Sequence, residues 1–468
     1  MLPRICCRIS TGMLLPSNQQ PPLSPPPSPS NTLSSQSSSS SSECSSASVP
    51  ASSNRRQDFP GGLINRDNSC FINSIVQACA SSSSLQSYLG SLLDTNPAAR
   101  ELFYLIERLN LNLPSPHTYT TASLISSLKS SELFSTSEQQ DTHEFFLFLL
   151  DALRPGPMDK VQSLPFDGAL NLRYRCLKCH DIQQPQSVGF NSIELNLPVI
   201  SSLPSTLSSV SFLSRLAPPA KLEDLLSSSL RSEVISNIHC GRCSCLSALS
   251  HFNKMLAHLH SSPNPSTCRS ADLDSLLRTR IAAVTDTLRK PIITDLDFEG
   301  HKLPQLVSST KIRDSSISRL PQSLAIHINR SQFDSEHSMP RKIDTPVVFP
   351  EYLDFHKFMD SEQLPVMPQN LTFRLSSIVV HFGIHSMGHY VTFRRHNNAW
   401  FSISDSNILR VSLDSVLSQG RVTMLFYDYD VSCESSTTAS AYSAMVDTPT
   451  PCSHQFMTEP LHENPCLA

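Results

Sequence analysis

A single cysteine, Cys70, lies where a loop of small polar residues passes into a run of apolar residues at helical spacing. The loop is Gly62–Ser69, and the apolar positions after it are Phe71, Ile72, Ile75, Val76 and Cys79. This periodicity predicts a helix that begins at Cys70 and buries one face. The backbone N–H groups and the dipole at a helix N-terminus favour a thiolate. Cys70 is therefore a candidate nucleophile, and a small buried core residue is the alternative.

A histidine far downstream can supply the base that a nucleophilic cysteine needs, because the fold brings such residues together. Ser377–Phe382 and Tyr390–Arg394 are rich in β-branched and aromatic residues and predict two short strands joined by a loop with glycines. His389 opens the second strand. We favour it as the base because Gly388 leaves room for a substrate backbone to approach. Two other histidines on this segment remain alternatives, His381 and His385.

Two CxxC pairs supply four thiols at the spacing with which paired thiolates bind one tetrahedral zinc ion. The pairs are Cys176 with Cys179 and Cys240 with Cys243. Cys245 is a spare thiol that could replace Cys243. The alternative is a set of reduced thiols without metal. We expect a reducing compartment and therefore no disulfides.

Composition limits the function classes. The chain has 468 residues, 16% of them charged, and a formal net charge of −4, which argues against a nucleic-acid binder. Residues 1–58 are rich in Ser and Pro and are expected to be disordered, as are residues 431–468. No apolar run is long enough to predict a transmembrane segment. A cytoplasmic location is expected, with mitochondrial association as an alternative because Arg4 and Arg8 precede any acidic residue.

The segments around Cys70 and His389 resemble the Cys box and the His box of the ubiquitin-specific protease family of deubiquitinating enzymes. A further family motif is matched by Gln139–Phe145, and the strand after the His box by Trp400–Asp405. Asp67 departs from the pattern, because the family usually has glycine there. The matching box positions are Gly62, Leu63, Asn65, Cys70, Phe71, Asn73 and Ser74, then Gly388, His389, Tyr390 and Val391.

The resemblance implies an α+β fold of the papain-like cysteine protease superfamily, with a helical thumb, a mixed palm and β fingers. It implies a catalytic domain at residues 59–430, with a zinc ribbon in the fingers at about 170–250. An insertion follows at about 250–310, where apolar residues from Leu273 to Leu288 predict an amphipathic helix.

The activity that the resemblance implies is that of a thiol-dependent ubiquitinyl hydrolase. Such an enzyme hydrolyses thioester, amide and isopeptide bonds at the C-terminal glycine of ubiquitin. The implied partners are ubiquitin and ubiquitinated proteins. A structural zinc ion and no catalytic cofactor are expected.

The catalytic roles follow from the same resemblance. Cys70 attacks the glycine carbonyl, His389 transfers the proton, and Asn65 donates a hydrogen bond to the oxyanion. Ser404 occupies the position of the residue that orients the histidine, where most of the family have Asn or Asp. Serine here resembles the branch associated with the mitochondrial outer membrane. A hydroxyl carries no charge, so Asp405 is the alternative orienting residue.

The substrate-binding residues that the resemblance implies line the cleft for the ubiquitin tail, which is basic and ends in glycine. Asp141 is a candidate partner for an arginine of that tail. Ser137 and Gln140 also have the form of a capping box before a helix with a buried apolar face. The full set is Gln140, Asp141, His143, Gly388 and Tyr390.

Two other functional classes remain as alternatives. A catalytically inactive ubiquitin-binding scaffold would keep the cleft, and the departure at Ser404 is the feature that favours it. A general papain-like protease would share the order of cysteine and histidine. The Gln139 motif and the paired CxxC spacing do not belong to that group.

Overall fold

The computed structural model describes eleven stretches of the chain: 58–128, 140–156, 163–183, 185–198, 218–261, 268–294, 297, 305–334, 339–359, 371–384 and 387–430. Most of the predicted N-terminal tail and all of the C-terminal tail lie outside these residues. Ser137, Gln139 and His385 also lie outside them.

The helices of the described residues begin with a core helix at Cys70. All ten residues of that helix are buried, whereas the sequence predicted one buried face. Its buried amide groups donate hydrogen bonds inside the protein, as Gln77 Nε2 does to the Gly61 carbonyl at 2.9 Å, whereas Gln77 Oε1 has no partner among the described residues. The helices are α1 Cys70–Cys79, α2 Ser83–Ser91, α3 Pro97–Leu109, α4 Ala122–Ser127, α5 Thr142–Ala152, α6 Leu222–Ser229, α7 Gly241–His260, α8 Cys268–Leu288 and α9 Leu413–Leu417, with one 3-10 turn at His356–Phe358.

The strands include the two predicted around the His box, each longer than expected. They are β1 Gly62–Leu63, β2 Thr118–Tyr119, β3 Gly168–Cys176, β4 Gln186–Phe190, β5 Ile193–Asn196, β6 Ala220–Lys221, β7 Glu233–His239, β8 Ser308–Arg319, β9 Ser323–Asn329, β10 Ser331–Asp334, β11 Met339–Lys342, β12 Val347–Val348, β13 Tyr352–Asp354, β14 Thr372–Gly383, β15 Gly388–His396, β16 Ala399–Ser404, β17 Asn407–Val411 and β18 Val422–Tyr429.

The largest sheet has the order β17-β16-β15-β14-β18-β9-β5, with β13 paired to β14. Adjacent strands in this sheet are antiparallel, except that β5 and β9 run parallel to each other. Strands β14 and β15 form the His-box hairpin, in which Phe382 lies opposite His389. The candidate base His389 therefore lies on a central hairpin of the sheet.

The two faces of this sheet are covered by different hydrophobic clusters, as the alternation of side chains along a strand requires. On β18, Met424 and Phe426 pack against α1, α2, α3 and α5, whereas Leu425 and Tyr427 pack on the opposite face with α6. The sheet thus presents β15 and β16 to the N-terminus of α1. This packing brings the Cys box and the His box together.

A second sheet, of order β4-β3-β8-β7, carries the first CxxC pair at the end of β3. The second pair opens α7, and α8 packs against α7 through Leu277 and Val284. The predicted helix before Leu288 is confirmed. Arg242 joins it to the cysteines, because its guanidinium donates to the carbonyls of Leu288 and Lys290 at 2.9 and 2.8 Å.

Arg330 is a buried cation that ties together three chain segments near the edge of the main sheet. It is 6% exposed and donates hydrogen bonds of 2.8 to 3.0 Å to four backbone carbonyls, those of Ile343, Thr345, Gly420 and Val422. Burial lowers the pKa of the guanidinium to about 10. These contacts fix the turns that precede β12 and β18.

Replacing Arg330 with methionine should destabilise the fold by about 3 kcal/mol, because four buried carbonyls lose their charged donor. The measurement is the urea midpoint of unfolding. Arg289 is the matched control, since its side chain is 75% exposed and Arg289→Met should change stability by less than about 0.5 kcal/mol. Equal midpoints for the two variants would contradict the role given to Arg330.

Candidate active site

The loop before Cys70 is held by a left-handed residue and by side-chain hydrogen bonds. Asp67 has φ of +58°, a region that aspartate enters more readily than most residues. This conformation explains why glycine is usual at the position and why aspartate can replace it. Ser69 Oγ accepts from the Arg66 N–H at 2.9 Å and donates to Asn65 Oδ1 at 3.1 Å. The loop thereby fixes the positions of both Asn65 and Cys70.

Cys70 is the first residue of α1, as predicted, and it is 2% exposed. The backbone N–H of Tyr390, the residue after His389, hydrogen-bonds its sulfur. Burial raises the pKa of the Cys70 thiol, and the charge of Asp405 adds to the rise, whereas the Tyr390 N–H acts in the opposite direction. Burial therefore opposes the thiolate that the helix N-terminus favours.

The pKa of Cys70 leads to a testable pH dependence. A raised pKa means that the thiolate fraction keeps growing as the pH rises beyond the range of an ordinary thiol. We expect alkylation of Cys70 by iodoacetamide to be slow at pH 7 and still to accelerate above pH 9. Mass spectrometry of the Cys70 peptide, with glutathione alkylated in parallel, measures the rate. A plateau below pH 7 would contradict the raised pKa.

Of the candidate bases, His389 is the one that lies beside Ser404, the residue predicted to orient it. Its Nε2 lies 2.8 Å from Ser404 Oγ and 3.6 Å from Asp405 Oδ2. Its side chain is 37% exposed, so one side of the ring is accessible to a ligand. The structure thus places Ser404 closer to the imidazole than Asp405.

His381, one of the two alternative bases, has a different role. It is buried, and Lys342 Nζ lies 2.9 Å from its Nδ1 and also donates to the carbonyls of His381 and Gly383. A side chain on Gly388 would collide with this ring, since an added Cβ would lie 2.2 Å from His381 Nε2. Gly388 is therefore required by the hairpin itself, which the sequence did not indicate.

Asp405 links the His-box sheet to the Cys-box loop. Its Oδ2 accepts from Asn65 Nδ2 at 2.9 Å, and its Oδ1 accepts from Asn73 Nδ2 at 2.8 Å. Its backbone carbonyl accepts from the Leu63 N–H at 2.9 Å, and its φ is +52°. The sequence motif contained Asn73 but gave no sign of this contact, which spans more than three hundred residues.

Three of the five predicted substrate-binding residues lie at the start of α5, and Tyr390 contacts that helix from β15. Asp141 is the N-cap, with Oδ1 accepting from the N–H groups of His143 and Glu144, so the helix starts later than a cap at Ser137 would place it. Asp141 is exposed and Gln140 half-buried. Tyr390 is buried and hydrogen-bonds Thr142 of α5, and burial raises the pKa of its hydroxyl. Its side chain therefore helps to hold α5 against β15.

His143 faces inward and contacts two residues that sequence reasoning missed. Its Nε2 lies 2.8 Å from Ser192 Oγ, and its ring stacks on that of His327 with centroids 4.0 Å apart. Burial lowers the pKa of His143, and it lowers that of His327 to about 4. His327 lies on β9, and nothing in the local sequence around it marks it as a neighbour of His143.

The four cysteines of the CxxC pairs converge as predicted. One sulfur from each of Cys176, Cys179, Cys240 and Cys243 lies within 4.8 Å of the others. Burial raises the pKa of Cys176, but hydrogen bonds, first from Ser309, outweigh it and lower the pKa to about 6. Cys245 is not in this group and packs between α7 and α8. Four converging thiols are a donor set that suits a tetrahedral metal ion such as zinc.

None of the helices in the described part of the chain is both long enough and apolar enough to cross a bilayer.

Comparison with known proteins finds relatives that are named ubiquitin carboxyl-terminal hydrolases. The chain is 31% identical over 191 residues to ubiquitin carboxyl-terminal hydrolase 1 of Saccharomyces cerevisiae, covering 41% of this chain and 22% of that protein. It is 25% identical over 397 residues to ubiquitin carboxyl-terminal hydrolase 10 of the same yeast, covering 79% of this chain and 47% of that protein. The chain thus spans less than half of the length of both curated relatives.

A solved structure shares the fold. It is the SAGA Ubp8/Sgf11/Sus1/Sgf73 DUB module bound to ubiquitin aldehyde, with a TM-score of 0.53 at 18% identity over 82% of this chain and 72% of that one. The fold is accordingly the α+β, papain-like fold of the ubiquitin-specific proteases. The sequence profile of the ubiquitin carboxyl-terminal hydrolase family matches residues 61–427. The chain belongs to the ubiquitin carboxyl-terminal hydrolase family.

Proposed function

We propose that this chain is a thiol-dependent deubiquitinase that hydrolyses thioester, amide and isopeptide bonds at the C-terminal glycine of ubiquitin. Membership of the family supports the reaction class. The observation that carries the proposal is the short contact between His389 and Ser404 beside Cys70. The sulfur of Cys70 accepts a hydrogen bond from the backbone N–H of Tyr390, the residue after His389. Nucleophile, base and orienting group then occupy one small volume, which is the arrangement that covalent catalysis requires.

The first step is attack by Cys70 on the glycine carbonyl. If Nε2–H of His389 donates to Ser404, Nδ1 carries the lone pair that accepts the thiol proton. The resting thiol has a raised pKa, so we infer that proton transfer accompanies the attack instead of preceding it. His389 then gives the proton to the leaving amine, and water hydrolyses the thioester.

Asn65 is the proposed donor to the oxyanion. An amide that is held in position beforehand stabilises the developing charge without reorganising during the reaction. The contacts with Asp405 and Ser69 hold Asn65 in this way. We therefore assign Ser404 to the orientation of His389 and Asp405 to the support of Asn65, with a lesser electrostatic effect on the imidazolium.

The tail of ubiquitin would bind between α5 and the His-box hairpin. The exposed carboxylate of Asp141 suits an arginine of the tail. Gln140, His143, Gly388 and the backbone of Tyr390 would line the path towards Cys70. Ubiquitinated proteins are the proposed partners, and a cytoplasmic location is proposed because the seven cysteines described as free thiols suit a reducing compartment.

Zinc is the proposed ligand of the four-cysteine cluster, where it would hold the end of β3 to the start of α7. After dialysis, the purified chain should retain one zinc ion per molecule by elemental analysis. The Cys176→Ser and Cys240→Ser double variant should retain none. Cys245→Ser is the matched control and should retain one, and loss of zinc from it would contradict this assignment.

Hydrolysis of a ubiquitin-aminocoumarin conjugate tests the proposed activity. We expect turnover of this conjugate and of ubiquitin chains, and no cleavage of unrelated peptides. Binding of ubiquitin without turnover would favour an inactive scaffold. This alternative is worth testing because Ser404 stands where most of the family have Asn or Asp. Cleavage of unrelated peptides at a similar rate would favour a general protease.

A further inference from the structure

The loop end of the His-box hairpin is not held by packing of its own apolar side chains. Ile384 and Met387 are 64% and 69% exposed, and the Ile384 N–H donates to the Met387 carbonyl at 2.9 Å. Strand β18 does not reach this end, because its last partner on β14 is Val380. Among the described residues, the stretch of β14 from His381 to Gly383 therefore pairs with β15 alone. Two strands without a third are only marginally stable, so this end needs another support.

Lys342 of β11 supplies that support from outside the main sheet. Its Nζ donates to the carbonyls of His381 and Gly383 at 2.9 Å each and lies 2.9 Å from His381 Nδ1. Residues two apart in a strand turn their carbonyls to the same edge, so one ammonium can bond both. An ammonium has three N–H donors and no acceptor, so the three contacts use all of its donors and His381 Nδ1 accepts.

Lys342 is a half-buried cation whose three acceptors are uncharged. Burial lowers the pKa of its ammonium to about 8, so the protonated form still predominates at pH 7. The charge of Asp344 favours the ammonium, whereas the charges of Arg330 and Arg421 disfavour it. Asp344 Oδ1 itself lies 3.9 Å from Arg421 Nε. Hydrogen bonds from a charged donor are stronger than those between neutral groups, so Lys342 is a firm anchor for the hairpin.

The imidazole of His381 connects this anchor to the catalytic residues. It lies directly against Gly388, where an added Cβ would be 2.2 Å from Nε2. Its ring centroid lies 4.5 Å from that of Tyr390. Gly388 and Tyr390 are the two residues that flank His389, and the Tyr390 N–H bonds the sulfur of Cys70. A shift of the His381 ring would therefore move the base and the N–H at the nucleophile together.

We propose that Lys342 is a positioning residue of the active site. It fixes the loop end of the His-box hairpin and, through His381, holds His389 and the Tyr390 N–H against Cys70. The inference rests on the proposed function, because it concerns the geometry of that reaction. Lys342 acts on the hairpin and not on the substrate. Misplacing a catalytic group by about 1 Å can cost about 10²-fold in rate, so the effect is expected in kcat.

Kinetics of Lys342→Met, which removes the ammonium and keeps the length of the side chain, test this role. We expect kcat for ubiquitin-aminocoumarin to fall at least about tenfold, with KM changed less than about threefold. Exposed Lys254 is the matched control, and Lys254→Met should keep the wild-type kcat. If Lys342 acts through His381, then His381→Gln should cost a similar factor and the double variant little more than either. Additive losses would overturn the path through His381.

Hydrogen exchange tests the positioning without reference to turnover. The amides of residues 381–391 should exchange at least about tenfold faster in Lys342→Met, whereas those of α2 should be unchanged if the variant is folded. If α2 also exchanges faster, His381→Gln is the second variant and the same comparison decides. Unchanged exchange in the hairpin would overturn the inference even if the enzyme is active. Faster exchange with an unchanged kcat would overturn the catalytic role. A wild-type chain without turnover would contradict the proposed function, and the exchange would still decide whether Lys342 holds the hairpin.

Discussion

Replacing Cys70 with alanine should abolish turnover of ubiquitin-aminocoumarin, by at least about 10⁴-fold in kcat, while the affinity for ubiquitin persists. The reason is that the proposed covalent intermediate forms on this sulfur, whereas we expect the recognition of ubiquitin to be spread over the whole cleft. Because an alanine is only slightly smaller and Cys70 begins a helix that is buried on every side, the fold should remain intact. Turnover is followed by fluorescence, and affinity by titration with labelled ubiquitin.

The matched control for that variant is Cys79, at the other end of the same helix. It is a free thiol, 0% exposed, and burial raises its pKa to about 12, so it is as buried as Cys70 but lies nine residues further along α1. Cys79→Ala should keep its activity, apart from a modest loss of stability. If Cys70→Ala loses ubiquitin binding together with turnover, Cys70 is a structural residue and the nucleophile assignment fails.

Replacing Asp405 with alanine should lower kcat by about 10² to 10³-fold, which is the cost of losing an oxyanion donor. Ser404→Ala should lower it less. The reason is that Asp405 holds both Asn65 and Asn73, whereas Ser404 contributes one uncharged hydrogen bond to the imidazole. The measurement is kcat and KM for ubiquitin-aminocoumarin, with the exposed neighbour Ser406→Ala as control.

A double-mutant cycle separates support of Asn65 from a general loss of stability. If Asp405 acts through Asn65, Asn65→Ala should cost almost as much as Asp405→Ala, and the double variant little more than either. Additive losses would mean that the two residues act independently. A larger loss in Ser404→Ala than in Asp405→Ala would reverse the roles assigned here.

Local patterns in the sequence predicted the elements that carry the chemistry. The helix at Cys70, the hairpin before and after Gly388 and the convergence of two CxxC pairs follow from spacing that is contained within a few residues. The left-handed backbone at Asp67 also gives a physical meaning to a position that the sequence showed only as a departure. Such features are set by short-range chemistry.

Contacts between distant segments could not be predicted from those patterns. Asn65 and Asp405 are 340 positions apart, and nothing local to either one indicates their hydrogen bond. The stacking of His143 on His327 and the attachment of Arg242 to the end of α8 are of the same kind. The burial that raises the pKa of Cys70 likewise depends on the packed fold and not on the local sequence around it.

The central claim is that Cys70 attacks the C-terminus of ubiquitin. The most direct test is to incubate the full chain with ubiquitin that bears a thiol-reactive group at its C-terminus and to measure intact mass. We predict a single covalent adduct, mapped to the peptide that contains Cys70, present in Cys79→Ala and absent in Cys70→Ala. An adduct that survives in Cys70→Ala, or no adduct in a wild-type chain that binds ubiquitin, would contradict the claim.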